Sequence, residues 1–369
     1  MHPWIDDNQS FKEFCQSIPA GQPVALDTEF AWTKTYFPVF ALLQIGLDRE
    51  HAALVDALAI TDWSPLAEIL TDASRRKICF SAGNDLPILC RACGGILPNH
   101  VFDVQIAAGF CGESSTQSLK AVIEGHLNIS LAKSETRSDW TVRPLTPKQL
   151  EYAADDVVLL PELAEFFQQK LEENGNLAWF QEEMESLYCQ AEAYQLPPVE
   201  DAWKRLNAIR RITEAAVRRR AIALAIWREG TAREKNLARP RLLSDEQLLW
   251  CAYEAPASQE QLFHMPDCWP KRIRPIAEEL LAVIANPPVE PPQQKEIFLP
   301  REKLNALVKR IQGLIQKRAQ ERGIDPGMVG SRHDAEHSAA CRLQSKPDSG
   351  RLTQGWRGEL MQDTLKLLG

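Results

Sequence analysis

The sequence predicts a mixed α/β domain followed by two small all-helical units. Short apolar runs separated by turns open the chain, helical patterns then alternate with a further strand, and the second half is helical and basic. Strand hairpins followed by strand–helix alternation are typical of a mixed sheet with flanking helices. The predicted boundaries are 1–195 for the α/β domain, 196–285 for the first helical unit, 286–299 for a proline-rich linker and 300–369 for the second helical unit.

Four apolar runs of the first half are predicted to be strands. Three follow one another as PVALDTEF, FALLQIGL and HAALVDAL, and the fourth is RKICFSAG. The segments SPLAEILTD, VFDVQIAAGF and SLKAVIEGHL have helical spacing, and NDLPILCRACGG is expected to be a helix that ends at Gly94 and Gly95. The stretch TPKQLEYAADDVVLLPELAEFFQQKLEEN predicts one long helix, with Thr146 as its cap and Pro147 at its first position.

The second half predicts helices of a different character. A strongly basic stretch with helical periodicity comes first, WKRLNAIRRITEAAVRRRAIALAIWR. Two further predicted helices each begin with a serine, a residue that commonly caps the N-terminus of a helix. ANPPVEPPQQ, residues 285–294, has four prolines in ten residues and is expected to be a stiff linker.

Composition narrows the class of protein. The 369 residues are 44% hydrophobic and 25% charged, and no apolar run of 18 or more residues occurs. The N-terminus has no basic region followed by an apolar one, and the nine cysteines stand singly. These features predict a cytoplasmic protein without a membrane anchor. No GxxxxGK[ST] loop is present, so no nucleotide cofactor is expected.

The net charge of −8 hides an asymmetry between the two halves. Residues 1–195 hold 13 basic and 28 acidic residues, a net charge of −15, whereas residues 196–369 hold 29 basic and 22 acidic residues, a net charge of +7. An acidic half can hold metal cations and a basic half can hold polyanions. Chance drift of surface composition explains the asymmetry equally well.

Acidic side chains at the ends of predicted elements form the candidate site. Asp27 and Glu29 are two apart on a strand and therefore point to one face of the sheet. Their burial would be costly unless a cation were bound, although a strand end that reaches water is an alternative. Asp85 opens a helix and could be only an N-cap. Tyr152 and Asp156 share a helix face, which could equally be solvated.

These motifs, in this order, resemble the DEDD exonuclease superfamily. VALDTEF, SAGNDLPIL and QLEYAADDVVLLPEL are similar to its three motifs, and Tyr152 matches the DEDDy branch. LLQIGL, FDVQIAAGF and KSETRSDWTVRPLTPKQL resemble the ribonuclease D family, over about residues 20–195. AWKRLNAIR, LAIWREGTAREKNLARPRLL and LLSDEQLLWCAYEAPASQEQL resemble an HRDC domain, and GWRGELMQDTLKLLG suggests a second, divergent copy.

The resemblance implies a ribonuclease H-like exonuclease fold and 3′→5′ hydrolysis of RNA to 5′-mononucleotides. It carries four metal ligands onto Asp27, Glu29, Asp85 and Asp156, with Asp155 left as a surface acid. It implies two divalent ions, Mg²⁺ or Mn²⁺, that hydrolyse a phosphodiester, with Tyr152 orienting the attacking water. The implied substrates are tRNA precursors and other small structured RNAs with a free 3′ end, and the protein is expected to be monomeric. Family members often have His where this chain has Ser81, which is expected to alter hydrogen bonding near the second motif.

Two other functions are compatible with the same motifs. One is an exonuclease that degrades DNA through the same site, because the contact with the ribose 2′-OH cannot be located from the sequence. The other is an RNA-binding protein that has lost catalysis, which the five intact site residues argue against.

RNA contacts are expected at residues outside the acids. The candidates in the first half are a strand glutamine and three residues before the third motif, namely Gln44, Lys133, Trp140 and Arg143. Three of them have a structural alternative: an edge-strand polar group for Gln44, a packing anchor for Trp140, and for Arg143 a segment that only fixes the entry to the next helix. The candidates in the second half are basic side chains that could contact the RNA backbone, namely Arg210, Arg211, Arg218, Arg219 and Arg220.

Two metal-like patterns are interpreted as structural. Cys90 and Cys93 form a single CxxC, and no second pair follows at the spacing of a zinc finger. His333 and His337 are four apart on a polar helix, and without a third ligand they are interpreted as surface residues.

Overall fold

The computed structural model describes residues 2–32, 34–130, 135, 138–287 and 299–366. The described chain divides into two compact units. The nuclease-like unit combines Met1–Phe30, Phe40–Tyr194 and Ile297–Gly369, and the helical unit combines Ala31–Val39 with Gln195–Glu296.

A six-stranded sheet forms the centre of the first unit. Its strands are β1 (Trp4–Ile5), β2 (Val24–Ala31), β3 (Val39–Gly46), β4 (Ala52–Asp56), β5 (Lys77–Cys79) and β6 (Val101–Asp103). They lie in the order β1-β4-β3-β2-β5-β6. β3 and β4 are antiparallel, whereas β2, β5 and β6 run parallel, so the sheet is mixed as predicted.

Within the described residues, eight α-helices of this unit lie between the N-terminus and residue 195. They are α1 (Asn8–Ser17), α2 (Ser64–Thr71), α3 (Asp85–Ala92), α4 (Val104–Phe110), α5 (Leu119–Leu127), α6 (Pro147–Val158), α7 (Leu160–Glu173) and α8 (Leu177–Met184). The segment VFDVQIAAGF begins as strand β6 before it becomes α4, because Val101, Phe102 and Asp103 pair with β5. The first strand and α1 were not predicted.

The predicted long helix is two helices. The capping box of Thr146 and Gln149 and Pro147 near the first position begin α6 as expected. The helix then ends at Val158, and α7 begins two residues later with Pro161 in its first turn. Proline has no N–H to donate and its ring clashes with the carbonyl four residues earlier, here that of Val157, so an unbroken helix is excluded.

The helical unit contains a long central helix and six shorter ones. They are α9 (Asn207–Arg210), α10 (Ala215–Glu234), α11 (Arg239–Leu242), α12 (Asp245–Glu254), α13 (Gln259–Leu262), α14 (Pro270–Ile273) and α15 (Ala277–Ala285). Its core is separate from that of the first unit and includes Ile209, Leu224, Leu248 and Leu280. A buried carboxylate, Glu229 of α10, accepts hydrogen bonds from Arg233, from Arg239 and from the hydroxyl of Tyr36.

The remaining helices pack into the core of the nuclease-like unit. They are α16 (Arg301–Arg322), α17 (Pro326–Val329), α18 (Arg332–Leu343) and α19 (Gly355–Lys366). Ile311, Trp356 and Met361 lie in the same hydrophobic core as the sheet. The predicted domain 300–369 therefore shares its core with the nuclease-like unit, because its apolar faces are buried there. The idea that it is a second HRDC copy stays a prediction.

A buried ion pair accompanies this packing. Glu183 of α8 accepts two hydrogen bonds from Arg357 of α19, at 2.6 and 2.8 Å, and one from Arg351 at 2.8 Å. The indole N–H of Trp356 also donates to it at 2.8 Å. Within the described residues, no helix is long and apolar enough to cross a membrane.

Candidate metal centre

Three carboxylates from two elements converge at the sheet, and a fourth, Asp85, lies close enough to repel Asp27 and Glu29. Asp27 and Glu29 project from β2, Asp85 is the first residue of α3, and Asp156 lies in the last turn of α6. One carboxylate oxygen each of Asp27, Glu29 and Asp156 lies within 4.8 Å of the others. We call these four residues the acid cluster.

Close packing of α6 against β3 places Asp156 at the sheet. A Cβ atom added to Gly46 at the end of β3 would lie 2.6 Å from the carbonyl oxygen of Val157. No other residue fits at that position without moving α6. Asp156 directly precedes Val157, so the glycine allows its carboxylate to approach the acids of β2.

Asp85 is fixed by a threonine that sequence analysis overlooked. The hydroxyl of Thr28 donates a hydrogen bond to the Asp85 carboxylate, and both side chains are buried. Thr28 stands between Asp27 and Glu29 on β2. In the sequence, Thr28 is visible only as a hydroxyl residue between two acids, and this pattern does not indicate its partner.

A second overlooked residue shapes the turn before Asp85. The fully buried Asp103 accepts hydrogen bonds from the backbone N–H groups of Ser81 and Ala82, at 3.0 and 2.9 Å, and from the Tyr188 hydroxyl at 2.8 Å. Ser81 has a φ of 59°, in the left-handed region. Asp103 thus holds the unusual backbone turn at Ser81 and Ala82, shortly before Asp85 in the chain.

The acids of the cluster raise one another's pKa. Desolvation is the largest cause of the raised pKa of Asp27, and Asp85, Asp156 and Glu29 add like-charge repulsion. Desolvation, followed by repulsion from Asp156 and Asp85, raises the pKa of Glu29 to about 8. The pKa values of Asp85 and Asp156 are also raised, mainly by desolvation. The cluster is therefore costly to ionise without a cation.

Tyr152 completes the site one turn before Asp156. Its hydroxyl makes a hydrogen bond to the Asp156 carboxylate. Desolvation, then repulsion by Asp156 and Glu29, raises the pKa of Tyr152 above its ordinary value, so the hydroxyl keeps its proton at neutral pH. Asp155 is half-buried rather than fully exposed, and its pKa is raised mainly by desolvation.

The donor set fits hard divalent cations. All members of the cluster offer carboxylate oxygens, which Mg²⁺ and Mn²⁺ prefer. The charges that raise their pKa values come from other acids, and a divalent cation would reverse that effect.

Three predicted RNA contacts are buried or paired with groups of the protein. Gln44 has no exposed surface, and its amide has no hydrogen-bond partner among the described residues. Trp140 is 2% exposed and lies in a small apolar cluster with Leu42. The guanidinium of Arg143 donates to both oxygens of Asp56, at 2.9 and 2.6 Å, and to backbone carbonyls. Gln44 and Trp140 expose almost no surface and Arg143 is engaged by Asp56, and RNA contact by these three residues stays a prediction. Lys133 lies outside the described residues.

The predicted basic contacts of the second half lie in the helical unit. Arg210, Arg211 and Arg219 are exposed, and Arg218 is half-buried. Arg220 donates to the carbonyl of Ala252. These side chains stay predicted RNA contacts.

Comparisons with known proteins identify the family of the chain. The family described as 3′-5′ exonuclease matches residues 3–172, and the HRDC domain family matches residues 217–284, once. Ribonuclease D of Desulfotalea psychrophila is 33% identical over 363 residues, covering 97% of this chain and 96% of the relative. Ribonuclease D of Escherichia coli K12 is 34% identical, covering 98% and 96% of the two chains.

Solved structures show the same fold. The crystal structure of Escherichia coli RNase D, an exoribonuclease involved in structured RNA processing, matches with a TM-score of 0.85 at 30% identity, covering 100% of this chain and 98% of that one. The catalytic core of RRP6 from Trypanosoma brucei matches in fold, with a TM-score of 0.66 at 19% identity over 77% of this chain and 79% of its own. The chain belongs to the ribonuclease D family.

Proposed function

We propose that the acid cluster carries the 3′→5′ exoribonuclease activity of this chain by holding two divalent cations, Mg²⁺ or Mn²⁺. The observation that supports this most directly is the approach of the Asp27, Glu29 and Asp156 oxygens to within 4.8 Å. Bound cations supply a nucleophile at neutral pH and neutralise charge on the scissile phosphodiester. The products are 5′-mononucleotides.

The residues around the cations divide the remaining work. Asp27, Glu29 and Asp156 would hold the cation that activates the attacking water, and Asp27 would also serve a second cation. Asp85, fixed by Thr28, would contribute to the second cation directly or through a bound water. Tyr152 keeps its proton and is a hydrogen-bond donor, so it orients the attacking water rather than removing its proton.

The substrate is proposed to be RNA with a free 3′ end, including tRNA precursors and other structured RNAs. Ribonuclease D of E. coli is an exoribonuclease involved in structured RNA processing, and this chain resembles it over its whole length. The exposed arginines of the helical unit would contact RNA phosphates, with Arg219 and Arg220 lining one shallow pocket of that unit. We also propose that the enzyme acts as a monomer in the cytoplasm.

The decisive experiment follows the degradation of a 5′-labelled RNA. Shortening from the 3′ end with Mg²⁺ or Mn²⁺, and protection by a 3′-terminal block, would support the proposal. Asp27→Asn should remove the activity while RNA binding persists. Full activity in Asp27→Asn, or in EDTA, would contradict the metal site.

Two matched assays separate the alternatives. DNA of the same sequence, offered at the same concentration, distinguishes an RNA-selective enzyme from one that degrades DNA equally well. Affinity for RNA should fall steeply between 50 and 200 mM salt. A flat salt response would count against phosphate contacts by the arginines.

A further inference from the structure

A mixed cluster of metal-binding side chains lies far along the chain from the acid cluster. His337 and Cys341 are one turn apart on α18, and Asp348 follows in the loop that leads to Arg351. One ligand atom from each, a nitrogen, a sulfur and an oxygen, lies within 4.8 Å of the others. The sequence offered His337 with His333 and no third ligand, and the structure supplies two others.

The distances suit a tetrahedral ion. Nε2 of His337 and Sγ of Cys341 are 3.6 Å apart. Zinc bonds to nitrogen and sulfur of about 2.0 and 2.3 Å at a tetrahedral angle place those two atoms about 3.5 Å apart. Oδ1 of Asp348 is 4.0 Å from Nε2 of His337. The same geometry requires about 3.3 Å, so these two atoms need to approach one another by less than about 1 Å.

Asp348 is the observation that points to a ligand. Its side chain is 10% exposed, and its Oδ2 is buried without a hydrogen-bond partner among the described residues. Oδ1 accepts the backbone N–H of Gly350 at 3.0 Å. A carboxylate oxygen that is desolvated and unpaired is costly, and a bound cation would remove that cost.

Gly350 leaves the space that the histidine ring occupies. A Cβ atom at this position would lie 2.5 Å from Cδ2 of His337 and 3.1 Å from Oδ1 of Asp348. Any side chain here would push the imidazole and the carboxylate apart. The glycine therefore allows both ligands to face the same point.

We propose that His337, Cys341 and Asp348 form a second metal site, for a divalent transition metal with zinc as the best fit. Nitrogen and thiolate ligands favour zinc over Mg²⁺, whereas the acid cluster offers oxygens only. Three protein ligands leave a fourth position, and the half-exposed His337 places it near solvent. Bound zinc joins the loop at Asp348 to α18, without any part in the hydrolytic step.

The test uses Co²⁺ as a spectroscopic probe of the full chain. Metal-stripped protein is titrated with Co²⁺ in excess Mg²⁺, which favours occupation of the acid cluster by the hard cation. The wild-type chain should show a thiolate-to-cobalt charge-transfer band that saturates at one equivalent. Cys341→Ser should abolish the band, whereas Cys268→Ser, which removes another half-buried thiol, should retain it.

The other two ligands sharpen the test. His337→Gln and Asp348→Asn should each weaken Co²⁺ binding by at least about tenfold, because loss of even an outer-shell partner costs that much. Thermal melting of each variant with EDTA checks that the fold is intact. The proposal is overturned by absence of the band in wild type, by its survival in Cys341→Ser, or by unchanged affinity in both other variants. RNA hydrolysis is scored separately, so failure of one site does not bear on the other.

Discussion

The acid cluster and the acids Glu183 and Glu229 show two ways in which a protein holds carboxylates out of water. Arg351 and Arg357 surround Glu183, and Arg233 and Arg239 surround Glu229. The pKa of Glu229 falls to about 2 and that of Glu183 is also lowered, because these hydrogen bonds and charges outweigh desolvation. In the acid cluster, by contrast, the pKa of Glu29 rises to about 8.

The difference separates stability from function. An acid whose charge is neutralised by arginines of the same protein stabilises the folded state. Acids that repel one another instead lower the free energy of unfolding. Such a cost is expected where a ligand later supplies the missing charge. Four predictions test this contrast, from the largest expected effect to the smallest.

Asp156→Asn should change activity and stability in opposite directions. Mg²⁺-dependent RNA hydrolysis should fall by at least about 10³-fold, because the metal contributes several kcal/mol to the transition state. The free energy of unfolding in EDTA should rise, because the substitution removes a desolvated carboxyl group whose ionisation the neighbouring acids oppose. Single-turnover kinetics and chemical denaturation measure the two effects. The neighbouring Asp155→Asn variant is the control and should stay within about threefold of wild-type activity. A loss of activity equal to that of Asp156→Asn would contradict the choice of Asp156 over Asp155 as the metal ligand.

Glu183→Gln should destabilise the nuclease-like unit by about 3–5 kcal/mol, because it leaves the buried charge of Arg357 without its partner. Chemical denaturation followed by circular dichroism measures the loss. Glu185→Gln, on the exposed side of the same segment, should change stability by less than about 0.5 kcal/mol. A small loss at Glu183 would mean that the ion pair is not a main support of the C-terminal helices.

The two kinds of acid should respond to pH with opposite sign. The folded-state pKa of Glu29 lies above its unfolded value, so the folded chain binds more protons and, without metal, loses stability as pH rises from about 4.5 to about 8. Glu29→Gln should flatten this slope in EDTA. The folded pKa of Glu229 lies below its unfolded value, so its contribution is present above about pH 4.5 and is lost as pH falls through about 2. Glu229→Gln should therefore cost the same at pH 5 and pH 8, and a pH-dependent cost there would contradict the contrast.

Tyr36→Phe should have the smallest effect. It removes the hydroxyl that donates to Glu229 and accepts from Arg233 and Arg239, at 2.6, 3.0 and 3.1 Å. The helical unit should lose about 1.5–3 kcal/mol, a typical net value for hydrogen bonds to charged groups. Thermal unfolding measures this, with Tyr253→Phe, an exposed tyrosine of the same unit, as the control. Equal melting of the two variants would show that the arginines alone hold Glu229.

The local patterns of the sequence predicted four of the six strands of the described sheet and the elements on which the acids lie. Asp27 and Glu29 lie two apart on a strand, and Tyr152 and Asp156 lie one turn apart on a helix, because both relations depend only on backbone periodicity. The motifs and their order carried the family assignment. The break at Leu159 was visible in Pro161, but the continuous helical period on both sides obscured it.

Contacts between distant segments could not be read from the sequence. Thr28 reaches Asp85 across 57 residues, and Asp103 binds backbone groups 21 and 22 residues away. The sequence suggested Arg143 as a phosphate ligand, because no residue near it in the sequence indicates that Asp56 is its partner. In each case the chemistry of the side chain was evident, but its partner depends on how the sheet is assembled.

The mixed origin of the nuclease-like unit has a consequence for the order in which the chain can fold during synthesis. Its core takes side chains from β2 near the start of the chain and Trp356, Met361 and Leu365 near the end. A ribosome would therefore have released the entire helical unit, which has a core of its own, before the last of these residues emerged. We expect the nascent chain to contain a folded helical unit while the nuclease-like unit is still incomplete. The hydrophobic core of the unit that holds the acid cluster is then completed only when α19 has been made.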